Sequence, residues 1–564
     1  MSLLADRFDQ MFPVLDAIQV ETVKRFASGE ARRFAPGELA YDVGTRNAPA
    51  WLVLAGGLEI VRRDGLHRES SVISLSEGQF SGEVSQLSGH GTIAAGRAGA
   101  QGCVALPYDA PHIRALMVGS AELGEIMMRA FILRRVALIE EGGSGSLLIG
   151  HPNSPDIVRI QGFLSRNGYP YTVLDVEADA EARAAVERFG ILENELPLMI
   201  CPNGEILKRP TDMQAGACLG ITPELDPDTI YDVAVVGAGP AGLAAAVYGA
   251  SEGLSMIVLD QRAFGGQAGA SARIENYLGF PTGISGLALA GRAFNQAQKF
   301  GAEIAIPLRV AKLECRNQDG RLREAFRLHI AGTGGTIQAR TVIVATGARY
   351  RRPAISNLPD FDNNGISYWA SPIEAKLCEG EEVALIGGGN SAGQAVVFLA
   401  PRVRHLHLIV RRRLDDTMSK YLIDRIEALP NVTLHVGKEI VSLDGDAAGL
   451  RSASFREIRT GASKTLPLRH LFLFIGADPN GDWLEGCVAT DGSGFVITGG
   501  AFEADAGRAP MPLETSVPGV FAIGDVRAAS TKRVGAAIGE GAAVVAQIHQ
   551  VLALRESAAE KKQP

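Results

Sequence analysis

Cysteine is scarce in this chain and never clustered. The 564 residues hold six, Cys103, Cys201, Cys218, Cys315, Cys378 and Cys487, and the nearest two are Cys201 and Cys218. No Cys-x-x-Cys occurs, so no adjacent dithiol exists for disulfide exchange, which needs two sulfurs within reach of each other. So few cysteines fit a reducing compartment, and a cytoplasmic protein is expected. No run of eighteen apolar residues is present, so no membrane span is expected. Met1–Gln10 lacks the basic-then-apolar pattern of a secretory signal. An excess of basic charge is missing too: the formal net charge is −8, which argues against a nucleic-acid binder. What remains is 46% hydrophobic and 21% charged, ordinary for a soluble globular protein. The 66 glycines suit tight turns and close approaches of backbone to ligands. A chain this long should divide into three or four domains.

Three regimes follow one another. Residues 1–138 open with a helical stretch, Leu15–Ala27, then show short apolar runs between glycines, then a helix over Leu116–Ala137. This pattern predicts a sandwich or barrel with helices. A linker at Glu141-Gly-Gly-Ser-Gly-Ser leads to residues 146–215, where strand and helix patterns alternate as in a small α/β module. Asp226-Pro-Asp marks the next linker. Residues 231–552 read as α/β throughout, and the polar end from Arg555 should fray.

The first strand–turn–helix of that last region is Tyr231-Asp-Val-Ala-Val-Val-Gly237-Ala-Gly239-Pro240-Ala241-Gly242. Gly237 suits a tight turn, Gly239 a pyrophosphate against the backbone, and Gly242 close packing of helix on strand. The phosphate then sits at the helix N-terminus. The following strand, Met256-Ile-Val-Leu, ends on Asp260, where an acid holds a ribose hydroxyl.

Further segments accompany this turn: Gly265-Gly266-Gln267, Ile274-Glu-Asn276-Tyr, Ala345-Thr346-Gly347-Ala and Gly524-Asp525. Together with the turn they resemble thioredoxin reductase over about 320 residues. The resemblance implies two nested Rossmann-like domains and FAD at the first turn. By the same resemblance Asn276 lies near the flavin, Asp525 binds the ribityl and pyrophosphate region, and Arg533 and Val534 bring backbone to the pyrimidine end. It also implies a homodimer.

A second strand–turn–helix is Glu382-Val-Ala-Leu-Ile-Gly387-Gly388-Gly389-Asn390-Ser391-Ala392, with Ala392 in place of the third glycine. Its second strand is followed by Arg411-Arg412-Arg413 rather than by an acid. Guanidinium groups bind a 2′-phosphate that an acid would repel, so NADPH is favoured over NADH. Relative to the family pattern, Val410 stands for a histidine and Asp416 for a later arginine. Either Arg413 compensates or some NADH is accepted. The nested layout places FAD on 230–349 and 478–552, and NADPH on 350–477.

Thioredoxin reductase carries a Cys-Ala-Thr-Cys before its second turn. Trp369 and Pro372 hold those two positions here. Hydride transfer to a flavin needs no cysteine, but electrons must leave by another route. Trp369 either stacks near the flavin or fills core volume.

Two further resemblances stand in front. His151-Pro-Asn-Ser154-Pro155-Asp156-Ile157 is similar to a glutaredoxin motif, with Ser154 and Ile157 at the cysteine positions and Leu196-Pro197 at a cis-proline position. A serine forms no disulfide, so a packing or docking role is expected. Phe34-Ala-Pro-Gly-Glu38 and Gly78-Gln-Phe-Ser-Gly82-Glu83 resemble a cyclic-nucleotide-binding β-roll. Glu83 matches its ribose ligand, but Thr92 stands where the phosphate-binding arginine belongs.

The expected function is an NADPH-dependent FAD oxidoreductase that passes electrons to a disulfide protein, a ferredoxin, a quinone or oxygen. A thioredoxin-disulfide reductase is the family label this implies. A ferredoxin-NADP reductase-like enzyme and a flavin-based redox or nucleotide sensor are the alternatives.

Overall fold

The computed structural model describes residues 7–63, 68–140, 145–223, 225–316, 322–332, 334–362, 364–446, 449–484, 486–500 and 509–560. The linker expected at 141–144 and the last four residues lie outside them.

Alternating apolar residues between glycines build an antiparallel sheet at the N-terminal end. Two fourteen-residue strands, Ala50–Arg63 and Ala95–Tyr108, form its spine, flanked by Arg32–Phe34, Leu39–Tyr41 and Glu69–Leu75. The predicted helix over Leu116–Ala137 is two helices, Ala110–Gly119 and Ala121–Glu140. Ser120 leaves helical geometry between them at φ −134°. The second helix reaches beyond this sheet to the next module. Arg135 donates to the Gly168 carbonyl at 2.9 Å and lies 4.4 Å from the Tyr169 ring centroid.

Residues 146–208 carry a mixed four-stranded sheet ordered Tyr171–Asp175, Ser146–Gly150, Leu198–Ile200, Ile206–Lys208. Ser154 caps the helix Pro155–Arg166 by accepting from the Ile157 amide at 3.3 Å, and Pro155 opens it. This is an ordinary helix start. Ile157 is wholly buried. The Leu196–Pro197 bond is cis. The module's inner face does not close on itself. Ile160, Phe163 and Leu164 share one core with Val233, Val258 and Ala297 of the next sheet, so the two units pack as one body.

That next sheet is parallel at its centre, with Ile230–Val236 between Met256–Leu259 and Thr336–Val344, and Val520–Ala522 beside the latter. The second parallel sheet runs Ile366–Ser367, His470–Leu473, Glu382–Ile386, His405–Val410, Val432–Val436. Chain crosses between the two sheets twice. The outgoing strand Ala348–Tyr350 pairs antiparallel with the returning strand Ala477–Pro479, and Arg351 holds Asp478 at 2.8 Å.

The closing helix Val534–Glu560 continues through Arg555, where fraying was expected. Over Val534–Ser557 it is long and apolar enough to cross a membrane by composition. Its buried residues Val544, Val545 and Ile548 belong to the shared core around Val233. The cysteines also depart from expectation: Cys201 pairs with Cys218, and Cys315 with Cys487. Cys378 is single and buried, and burial pushes its thiol up to about 11.

Candidate functional site

Both glycine turns form as the sequence requires. Gly237 has φ +112° and Gly387 φ +148°, and an added Cβ at either would strike backbone, of Ala345 and of Phe474. L side chains rarely adopt such conformations. A Cβ on Gly242 would strike the Gly237 carbonyl, whereas one on Gly239 would meet only the Gly266 Cα at 3.9 Å. The backbone at Gly239 is therefore open to a ligand, and the helix Pro240–Ser251 starts there. Asp260 accepts from the Ala238 amide at 2.9 Å and from the Arg262 amide at 2.9 Å, which ties the acid to the turn. Burial raises its pKa against these hydrogen bonds.

These residues line a cavity of about 1280 Å³. Gly237, Gly239, Pro240, Ala241, Asp260, Gly266, Gln267, Asn276, Thr346, Gly347, Gly524, Asp525, Arg533 and Val534 all border it. Gly242 and Gly265 lie behind the wall. Gln267 is fixed by the Ala348 carbonyl. Asp525 is held above its usual pKa by burial, with Lys532 pulling the other way. Its carboxylate makes no hydrogen bond to protein among the described residues. A half-buried acid with no protein donor suits the hydroxyl-rich chain of a flavin nucleotide, and the open backbone at Gly239 suits a pyrophosphate.

The second turn meets the cavity only in part. Asn390 and Ser391 are on its wall; Gly387, Gly388, Gly389, Ala392 and Arg411–Arg413 are not. Asn390 accepts from the Ser419 amide at 2.7 Å. The three arginines are exposed beyond the strand His405–Val410, and Arg413 is held by Asp415 at 3.0 Å. Arg425 reaches across from the second sheet to Glu275, beside Asn276.

Trp369 borders the cavity and also packs, half-buried, against the core of the second sheet. Its indole NH donates to Glu374 at 2.6 Å. Arg166 lies 4.7 Å and Arg262 5.8 Å from its ring centroid. Pro372 begins the helix Pro372–Leu377 and is exposed. Arg166 was invisible to sequence reasoning because it arrives from the middle module. Its pKa is lowered by burial first and then by the neighbouring Arg262. Arg262 carried a weak signal, two residues beyond the acid.

Two nucleotide turns, on two doubly wound sheets that share one cavity, define the class: a two-nucleotide α/β oxidoreductase fold. The chain belongs to the pyridine nucleotide-disulphide oxidoreductase family, whose model matches residues 231–541. It is 32% identical over 343 residues to NADPH-dependent thioredoxin reductase 3 of Arabidopsis thaliana, covering 60% of this chain and 61% of that one. It is 31% identical over 326 residues to thioredoxin reductase of Peptoclostridium acidaminophilum, covering 57% and 96%. The solved thioredoxin reductase of Lactococcus lactis superposes with a TM-score of 0.51 at 25% identity, over 57% of this chain and 99% of that one. The chain spans about three fifths of the length of the first of these relatives.

Proposed function

We propose that this chain is an NADPH-dependent FAD oxidoreductase that passes electrons to an external acceptor without an internal dithiol. One observation carries the reading: a single cavity is bordered by both nucleotide turns, with Trp369 where a dithiol would stand. FAD, when bound, supplies the hydride-accepting chemistry. Gly237, Gly239 and the helix from Pro240 hold its pyrophosphate, Asp260 its ribose and Asp525 its ribityl chain. Asn276, Arg533 and Val534 border its ring. Gly387–Ala392 hold the second nucleotide, and Arg411–Arg413 its 2′-phosphate. Arg166 and Arg262 keep Trp369 against the cavity and exclude water there.

The FAD domain spans 230–349 and 478–552, with the NADPH domain, 350–477, inserted. In front stand a cyclic-nucleotide-binding-type roll, 1–138, and a glutaredoxin-type module, 146–215, that packs rather than carries electrons. Support for the last point is the capping role of Ser154 and the burial of Ile157. The enzyme is a homodimer by the family pattern, and its acceptor is a disulfide protein, ferredoxin, quinone or oxygen.

The test is anaerobic stopped-flow mixing of holoprotein with NADPH. Bleaching of the flavin band within milliseconds to seconds is expected, with thioredoxin turnover at least a hundredfold below dithiol-bearing relatives. An unbleached flavin sinks the reading. Efficient thioredoxin reduction sinks the claim about the missing dithiol.

A further inference from the structure

The N-terminal roll encloses a second cavity, of about 360 Å³. That is the size of a small-molecule site. Phe12, Ile60, Val72, Leu75, Ile93 and Ala137 make most of its wall. Arg62, Ser81, Gln86 and Thr92 add polar lining, and Tyr41, Glu83 and Arg134 form one polar corner.

The charges in that corner do not balance. Glu83 is 6% exposed, and one of its carboxylate oxygens accepts from Arg135 at 3.2 Å. The other oxygen has no partner. Arg134 is 7% exposed, with its guanidinium 5.0 Å from the Phe12 centroid and 4.8 Å from that of Phe80. Its Nε donates to the Met11 carbonyl at 2.9 Å and one Nη to the Gly82 carbonyl at 2.8 Å. The second Nη has no partner. Among the described residues no carboxylate forms an ion pair with Arg134. The one carboxylate of Glu83 is ion-paired with Arg135 and also attracts Arg134 without a hydrogen bond, so two guanidinium groups face one acid. A buried cation in this state gains most from an anion.

Thr92, at the place of a phosphate-binding arginine, brings no cation. Its hydroxyl donates to the Asp42 carbonyl at 2.6 Å. The guanidinium pair that would hold a cyclic phosphate at that position is therefore missing. An acid group on a hydrocarbon body matches the corner and the walls together.

We propose that this cavity binds a small amphipathic carboxylate, its acid group on Arg134 and its chain along the apolar wall. The proposal is independent of the electron-transfer reading. Isothermal titration of the full-length holoprotein with decanoate tests it, with decanol and cyclic AMP as comparison ligands. Decanoate is expected to bind once per chain, at least tenfold tighter than uncharged decanol, and Arg134→Leu is expected to weaken it at least tenfold. Val72→Phe keeps the arginine but fills the cavity and should abolish binding, which preserves the test if Arg134→Leu does not fold. The proposal is overturned by absence of decanoate binding, by equal binding of decanol, by undiminished binding to Val72→Phe or to folded Arg134→Leu, or by cyclic AMP binding in its place.

Discussion

At the scale of single residues, Ser154, Ile157 and Trp369 each have a packing or hydrogen-bonding job. Ser154 caps a helix, Ile157 fills a core, and Trp369 stacks against two arginines while donating to Glu374. His90 shows how the same setting controls protons. Burial first, then the charges of Arg135 and Arg46, lower its pKa from 6.5 to about 4. Below about pH 6.5 the unfolded chain takes up a proton that the folded chain refuses until about pH 4. The stability from this group is therefore complete above the upper value and drains as pH falls through the lower one. Calorimetry at pH 7.5 and pH 5 should show a smaller drop in melting temperature for His90→Gln than for the unchanged chain. An equal drop would remove His90 from the account. Trp369 and Ser154 could be identified from sequence because each replaces a motif residue. Arg134 and Arg166 could not, because nothing local marks a charge that acts on another module.

At the scale of elements, the glycine turns were the most legible features. Strand, turn and helix are contiguous there, so the geometry is written within a dozen residues. Gly242 lies behind the wall but sets how closely the helix Pro240–Ser251 approaches its strand. Gly242→Val should destabilise the chain by about 1–3 kcal/mol through overpacking, and the flavin-to-protein absorbance ratio of the purified protein should fall toward zero. Retention of full flavin content would contradict the packing role. The break at Ser120 was missed because both flanking segments carry strong helical patterns and the interruption is one residue long. The cysteine pairs were missed for another reason: Cys315 and Cys487 are 172 positions apart and meet only after the sheet has formed.

At the scale of the whole molecule, residues of different modules make continuous contact. Arg134 lines the N-terminal cavity, and its neighbour Arg135 holds Gly168. Asn167 donates to the Arg262 carbonyl at 3.0 Å, and Arg262 lies beside both Asp260 and Trp369. The middle module shares its core with the first nucleotide sheet, so its removal would expose apolar residues of that core. A chain beginning at residue 226 should melt at least 5 °C lower than the full chain or aggregate on purification, as scanning calorimetry would show. Equal melting of the two would mean that the shared core contributes nothing. The relatives of similar fold span only the last three fifths of the chain, so this dependence was not legible from the nucleotide motifs.

The two strands that cross between the sheets lie side by side, Ala348 opposite Pro479. The beginning and the end of the second nucleotide unit are therefore neighbours in space. A unit with adjoining ends can be exchanged for a homologous one at a single seam, leaving the surrounding sheet unaltered. Under the proposed assignment of the two turns, pyridine-nucleotide preference is a cassette that can be inherited, or engineered, separately from the flavin fold that receives it.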